Sequence, residues 1–153
     1  MKIFKLLASI VLVMAVGLAG SLFTAPNINS WYATLNKPSF SPPNYLFAPV
    51  WTTLFILIGI ALYLLWNSKK KEKTVALYLF FAQMVLNFFW SYIFFGQKQI
   101  GWALAEIIIL LIVIVACIIY FGRISKTAAL LFIPYLLWVS FASILNYQVF
   151  VLN

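Results

Sequence analysis

The stretch that decides the class of this protein runs from Gly101 to Phe121 and reads GWALAEIIILLIVIVACIIYF. Its only charged residue is Glu106. About 20 residues in a helix rise about 30 Å, which matches the thickness of the hydrocarbon core of a bilayer. A barrel strand would be about half as long and would alternate apolar with polar residues. The stretch therefore predicts a membrane-spanning helix.

Four more apolar segments of similar length flank this one. The five predicted spans cover about 6–25, 45–66, 75–95, 101–121 and 128–151. The 153-residue chain is 66% hydrophobic and 8% charged, whereas a soluble domain is about 25% charged. We therefore expect an all-α integral membrane protein. It would be one transmembrane domain over residues 1–153, a bundle of five helices.

The first segment has a second interpretation. Its basic start, apolar core and small residues near Ala19 to Ser21 also fit a cleaved signal peptide. The apolar run continues to Ala25, however, and is longer than a usual signal core. We therefore expect this segment to be retained as a membrane helix, in which Gly17 and Ser21 allow close packing against a neighbour.

Positive charges are distributed unevenly among the connections between the spans. Two lie on one side of the predicted membrane, at Lys37 and Lys98. The other side receives Lys2, Lys5, Lys69, Lys70, Lys71, Lys73, Arg123 and Lys126. The positive-inside rule then predicts a multi-pass protein of the cell membrane with a cytoplasmic N-terminus. The first loop and the C-terminus would be external.

Several functional classes are excluded or disfavoured by composition. The net charge of +8 does not indicate nucleic-acid binding, because the charges occur in short runs between apolar segments. With no His and only Cys117, the chain offers no internal disulfide, no zinc site and no histidine ligand for haem iron. We expect no metal and no tightly bound cofactor. Glu106 lies in the second turn of its span, where a helix N-terminus favours an acid, so a structural role is preferred for it.

Aromatic residues on the second span suggest a pocket. Phe47 and Phe55 lie four residues to each side of Trp51, so the three share one helix face. Phe47 and Phe55 would also suit a lipid-facing surface. Trp51 is deeper than an interfacial anchor should be, so we expect it to face a pocket.

The third span carries a polar stripe made of Gln83, Asn87 and Ser91 at spacing four. Amide side chains in hydrocarbon must find hydrogen-bond partners. The stripe can join helices, or it can supply a few placed donors and acceptors to a cavity. Spacing alone leaves both interpretations open.

The last span has a similar row, formed by Pro134, Trp138, Ala142 and Asn146. Pro134 should loosen the turn before it, because proline has no N–H to donate. A large indole next to small residues suits a flat ligand, but it also suits tight helix packing. Both interpretations remain open here.

The loop between the first two spans is unusual. The stretch WYATLNKPSFSPPNYLFAPVW, Trp31 to Trp51, holds four prolines and one charge. Proline fixes φ and restricts the residue before it, so this proline- and aromatic-rich loop should be structured. We expect it to act as a lid over a cavity, with Trp31 and Tyr32 stacking on what lies beneath.

Three blocks of the sequence resemble one known family. They are WYATLNKPSFSPPNYLFAPVWTTLF (31–55), QMVLNFFWSYIFFGQKQIGWALAE (83–106) and PYLLWVSFASILNY (134–147), in that order. The blocks look like the signature of the translocator protein family, also called tryptophan-rich sensory proteins and formerly peripheral-type benzodiazepine receptors. The short basic N-terminus suggests a bacterial-type member.

The resemblance implies a five-helix bundle, usually a homodimer, with a ligand cavity under the first loop. The pocket positions that it carries over are Tyr32, Pro42, Trp51, Asn87, Trp90, Ser91, Trp138, Ala142 and Leu145. Implied ligands are tetrapyrroles such as protoporphyrin IX, and isoquinoline or benzodiazepine-type drugs. Trp51 and Trp138 would support light- and oxygen-dependent porphyrin degradation. A transporter or sensor that binds porphyrin without chemistry is the alternative.

One departure from the family pattern concerns sterols. Animal members have a basic residue soon after a tyrosine in the last helix, in a pattern proposed for cholesterol recognition. Here Tyr147 is followed by QVFVLN, with no Lys or Arg. We therefore expect no sterol transport.

Overall fold

All five predicted spans are helical in the structure, a computed structural model that describes residues 2–153. The helices are α1 (Lys2–Ile28), α2 (Phe47–Trp66), α3 (Lys73–Ser91), α4 (Ile100–Gly122), α5 (Lys126–Leu131) and α6 (Ile133–Leu152). Within this described part there are no strands, and five helical stretches are long and apolar enough to cross a membrane, α5 and α6 together forming the fifth. The expected all-α multi-pass membrane fold is confirmed. Met1, which the predicted domain includes, lies outside the described residues.

Two spans differ in detail from their predicted bounds. Helix α1 continues past the last residue of the apolar run and ends at Ile28, with Pro26 inside its last turns. Helicity depends on backbone hydrogen bonds, so it need not stop where apolarity stops. The last span is interrupted at Phe132, between α5 and α6. Pro134 explains this break, because it cannot donate to the carbonyl four residues earlier.

The two ends of the bundle are chemically distinct. At the lysine-rich end, the Lys5 ammonium lies 5.4 Å from the centre of the Trp66 ring. There the Lys70 ammonium also donates to the Arg123 carbonyl at 3.2 Å. At the opposite end, called the loop end, Asn44 of the first loop donates to the Ile28 carbonyl at 3.4 Å. Each of the five spans therefore runs from one of these ends to the other.

Buried aromatic rings fill the core of the lysine-rich half of the bundle. Phe80 of α3, Phe121 of α4 and Phe132 are all fully buried. Their ring centres lie 4.8 to 6.4 Å apart, in tilted and edge-to-face contacts. Such pairs stabilise a core beyond the area they bury, by about 0.5–1.5 kcal/mol each. This half therefore carries much of the stability of the fold.

Close contact between α1 and α2 contributes to that packing. A Cβ atom on Gly59 would lie 2.7 Å from Cα of Ile10, so the two backbones approach as closely as glycine permits. Closer to the loop end of the same interface, a Cβ on Gly17 would overlap the ring of Phe55. The neighbour that the sequence could not name for Gly17 is therefore Phe55 on α2.

Candidate functional site

A cavity of about 460 Å³ occupies the loop half of the bundle. Helices α1, α2, α3, α4 and α6 and the first loop all contribute to its wall. Small-molecule sites in proteins have volumes of about 300–1,000 Å³ and are mostly apolar with a few placed polar groups. The cavity has both properties, so it is the candidate functional site.

Helices α2 and α6 each place one tryptophan on the wall. Phe47, Trp51 and Phe55 all line the cavity, as their shared helix face predicts. Trp51 stacks on Phe55 with ring centres 5.3 Å apart and planes 30° apart. Trp138 contacts Phe47 edge to face at 6.2 Å, and its buried indole N–H has no hydrogen-bond partner in the described residues.

The part of the wall formed by α3 and the turn after it is also aromatic, and here the tryptophan N–H is held by a hydrogen bond. Trp90 stacks on Phe94 at 5.0 Å, with planes 22° apart. Its indole N–H donates to the Asn146 side-chain oxygen at 3.0 Å. The Asn146 amide in turn donates to the Ile100 carbonyl at 3.1 Å. These bonds tie α3 to α6 and α4 and hold the Trp90 ring in place.

The residues of the polar stripe on α3 differ in role: some join helices, and some line the cavity. Asn87 donates to the Tyr135 hydroxyl at 2.8 Å, and this hydroxyl donates to the Gln83 side-chain oxygen at 2.7 Å. Gln83 thus joins α3 to α6 and does not line the cavity. Asn87 does both, and Ser91 lines the cavity. Glu106 lies outside the wall, buried, with no partner for either carboxyl oxygen among the described residues.

The first loop covers the cavity at the loop end. Tyr32 is buried there and lines the cavity. The Lys37 ammonium donates to the Tyr32 carbonyl at 2.8 Å and lies 4.7 Å from the centre of the Tyr32 ring. Burial raises the pKa of the Tyr32 phenol above its ordinary value.

The loop is also fastened to the last helix. The Asn36 backbone N–H donates to the Asn153 side-chain oxygen at 3.1 Å, and the Asn153 amide donates to the Asn36 carbonyl at 2.9 Å. Phe40 contacts Phe141 of α6 edge to face at 6.1 Å. The loop is therefore held at both α1 and α6.

Most of the expected pocket residues meet in this one cavity. Those that line it are Tyr32, Trp51, Asn87, Trp90, Ser91, Trp138, Ala142 and Leu145. Pro42 does not line the cavity. It lies in the part of the first loop that leads into α2. Trp31 also lies outside the wall, against Phe94 and Phe95. Ligand binding by these residues stays a prediction.

Two parts of the wall were missed by reasoning from sequence. One is the face of α1 that carries Gly20, Ser21 and Thr24. The small residues were a signal for close packing, but they gave no sign that a space lies beside them. The other part is Phe94 and Phe95, which follow Trp90 by four and five residues. A π-helical turn from Tyr92 to Gly96 aims both rings at the site.

Comparisons with known proteins agree with this architecture. The chain is 47% identical over 153 residues to the tryptophan-rich protein TspO of Archaeoglobus fulgidus, covering 100% of this chain and 99% of that protein. It is 37% identical over 135 residues to the translocator protein of Bos taurus, covering 86% of this chain and 80% of that protein.

A more distant relative is the tryptophan-rich sensory protein of Cereibacter sphaeroides, which is 33% identical over 125 residues, 82% of this chain and 78% of that protein. The TspO/MBR family model matches residues 9–152. The resemblance seen in three sequence blocks is thus confirmed over nearly the whole length. The chain belongs to the TspO/MBR family.

Proposed function

We propose that this membrane protein binds a tetrapyrrole, protoporphyrin IX, in the cavity and promotes its degradation in light and oxygen. The observation that supports this most is the meeting of Trp51 and Trp138, from two different helices, on the wall of one apolar cavity. A flat macrocycle buries a large area against indole rings, and aromatic contacts of this kind supply affinity. Asn87 and Ser91 line the same cavity, and in this proposal they orient the polar groups of the macrocycle.

The chemistry belongs mostly to the ligand, and the protein positions it. Light excites the bound porphyrin, and dioxygen is the oxidant. Trp51 or Trp138 donates one electron to the excited porphyrin and becomes an indole radical cation. The porphyrin then passes that electron to dioxygen, which is reduced to superoxide, so the electron count balances. The indole radical cation next to the macrocycle then takes one electron from the macrocycle and is restored. The resulting porphyrin radical cation combines with superoxide, so that both oxygen atoms of dioxygen enter one defined product.

Illumination of purified protein with protoporphyrin IX tests this proposal. We expect wild type to give one defined product in the absorbance spectrum. The double variant Trp51→Phe, Trp138→Phe should still bind but form that product at least about tenfold more slowly, because phenylalanine does not donate an electron readily. Trp102→Phe is the matched control, because Trp102 is 72% exposed and outside the cavity. Equal bleaching in all three proteins contradicts a chemical role.

A second candidate function is transport or sensing of porphyrin without chemistry. The names of the relatives favour it, since they include a translocator protein and a tryptophan-rich sensory protein. The same experiment separates the two functions. Saturable binding without a defined product in wild type supports the second function and contradicts the first.

Three finer expectations belong to the same proposal. Isoquinoline and benzodiazepine-type drugs, being flat and aromatic, would compete for the cavity. The protein would act as a homodimer in the cell membrane. The loop end would face outward, because eight of the ten cationic side chains lie at or near the other end.

A further inference from the structure

The cavity wall includes residues that also face away from the bundle. On α1 these are Leu18, Ser21 and Ala25, and on α2 they are Ala48 and Thr52. Leu18 is 69% exposed, Ala25, Ala48 and Thr52 are exposed, and Ser21 is half-buried. A side chain that lines a cavity and is exposed on the outside marks a place where the cavity reaches the surface. Here that surface lies within two membrane spans, so it faces lipid.

The five residues, called the α1–α2 portal, lie on two neighbouring antiparallel helices, at the place where the cavity reaches the surface. The close contacts of Ile10 with Gly59 and of Gly17 with Phe55 fix the register of the two helices. Continuing that register toward the loop end brings Ser21 opposite Thr52. It also brings Ala25 opposite Ala48. By this register, four small side chains line the α1–α2 interface at the loop end.

The portal is bounded at both ends, by helix contacts toward the lysine-rich end and by the first loop at the loop end. Toward the lysine-rich end, the Gly59 and Gly17 contacts leave no space between the two helices. At the loop end, Asn44 donates to both the Ile28 carbonyl and the Asn29 side chain, at 3.4 and 3.0 Å. These bonds fasten the loop to the end of α1. The opening is thereby confined to the loop-end half of the α1–α2 interface.

The polar groups at the portal suit contact with lipid. The Ser21 hydroxyl donates to the Leu18 carbonyl at 2.7 Å, and the Thr52 hydroxyl donates to the Ala48 carbonyl at 2.7 Å. Backbone and side-chain polar groups at membrane depth must be satisfied within the protein. With both hydroxyls turned back onto their own helices, the rim presents mainly carbon and hydrogen to an incoming molecule.

We propose that the cavity takes its ligand sideways from the bilayer through the α1–α2 portal, and that the loop is a fixed cover rather than the way in. The ligand class is then a flat, lipid-dissolved aromatic molecule. This inference rests on the proposed function for the identity of the ligand, and it adds the route. Thr52 and Ser21 control the rate of passage.

The test measures rates and affinity separately, with vesicles preloaded with protoporphyrin IX and protein in matched vesicles. Thr52→Phe narrows the portal, so we expect association and dissociation both to slow by about tenfold, with the dissociation constant changed by less than about threefold. Thr53→Phe is the matched control, because Thr53 is exposed, makes the same bond to the carbonyl four residues earlier and does not line the cavity. Its rates should equal those of wild type.

Asn153→Ala tests the competing route by releasing the loop from α6. If ligand passes under the loop, this variant binds and releases faster, and that result overturns the proposal. An affinity loss in Thr52→Phe with an unchanged association rate also overturns it. If Thr52→Phe does not fold, the same comparison can be made on α1. Ser21→Phe then narrows the portal, and Leu22→Phe, which does not line the cavity, is the control.

A second readout separates the portal from the proposed ligand. Ser91→Cys in a Cys117→Ala background places one thiol on the cavity wall. A lipid-soluble maleimide should label it several-fold more slowly with Thr52→Phe than with Thr53→Phe. Failure of wild type to bind porphyrin, with this difference intact, contradicts the proposed function alone. Equal labelling contradicts the portal.

Discussion

The two halves of this bundle are built from the same helices but differ in where their aromatic side chains lie. In the lysine-rich half, Phe80, Phe121 and Phe132 meet at the centre and fill it. In the loop half, Trp51 and Trp138 stand around a space of about 460 Å³. The comparison indicates that a well-packed half can stabilise the fold while the other half keeps a cavity open.

The largest effect that separates the two halves should come from truncating the well-packed one. Phe80→Ala removes a fully buried ring, and such substitutions cost about 3–5 kcal/mol of unfolding free energy. Phe81→Ala, one residue later and 45% exposed, should cost much less. Denaturant or thermal unfolding of the two variants in the same detergent measures the difference. Equal losses would mean that the lysine-rich half is not the stabilising half.

A smaller effect is expected from glycine substitutions in the two halves. Gly59→Ala brings a methyl group against the Ile10 backbone, and overpacking of this kind costs about 1–3 kcal/mol. Gly20→Ala meets only the Ser91 side chain, at 3.6 Å. That variant should be neutral or gain up to about 1 kcal/mol from helix propensity. The same unfolding assay applies, and a destabilised Gly20→Ala would show the loop half to be as tight as the other.

The smallest effect should appear where the halves meet. Tyr135→Phe removes the hydroxyl that joins Asn87 to Gln83. Hydrogen bonds between membrane helices contribute about 0.6–1.7 kcal/mol, so the loss should be about 1 kcal/mol. Tyr147→Phe is the control, because Tyr147 is 51% exposed. If the two variants unfold alike, the buried hydrogen bonds do not couple the cavity to the core.

The sequence was sufficient for the spans because a run of about 20 apolar residues has few other uses. It also predicted the faces of Trp51 and Trp138, since helical periodicity relates residues four apart. It could not decide between packing and lining for Gln83 and Asn87, because that depends on which parts of the neighbouring helices lie opposite each residue. Pro42 was misplaced for a similar reason, since the path of a loop is set by tertiary contacts such as that of Asn36 with Asn153.

The π-helical turn after α3 changes how many consecutive side chains this part of the chain can direct into the cavity. In an α-helix, a residue shares its face with those three and four positions away. The i→i+5 bond from Gln97 to Tyr92 widens the turn by one residue. Trp90 consequently touches both Phe94, at 5.0 Å, and Phe95, at 5.9 Å. This short π-helical turn thus places three rings, those of Trp90, Phe94 and Phe95, on one wall, where a regular α-helix would have placed two.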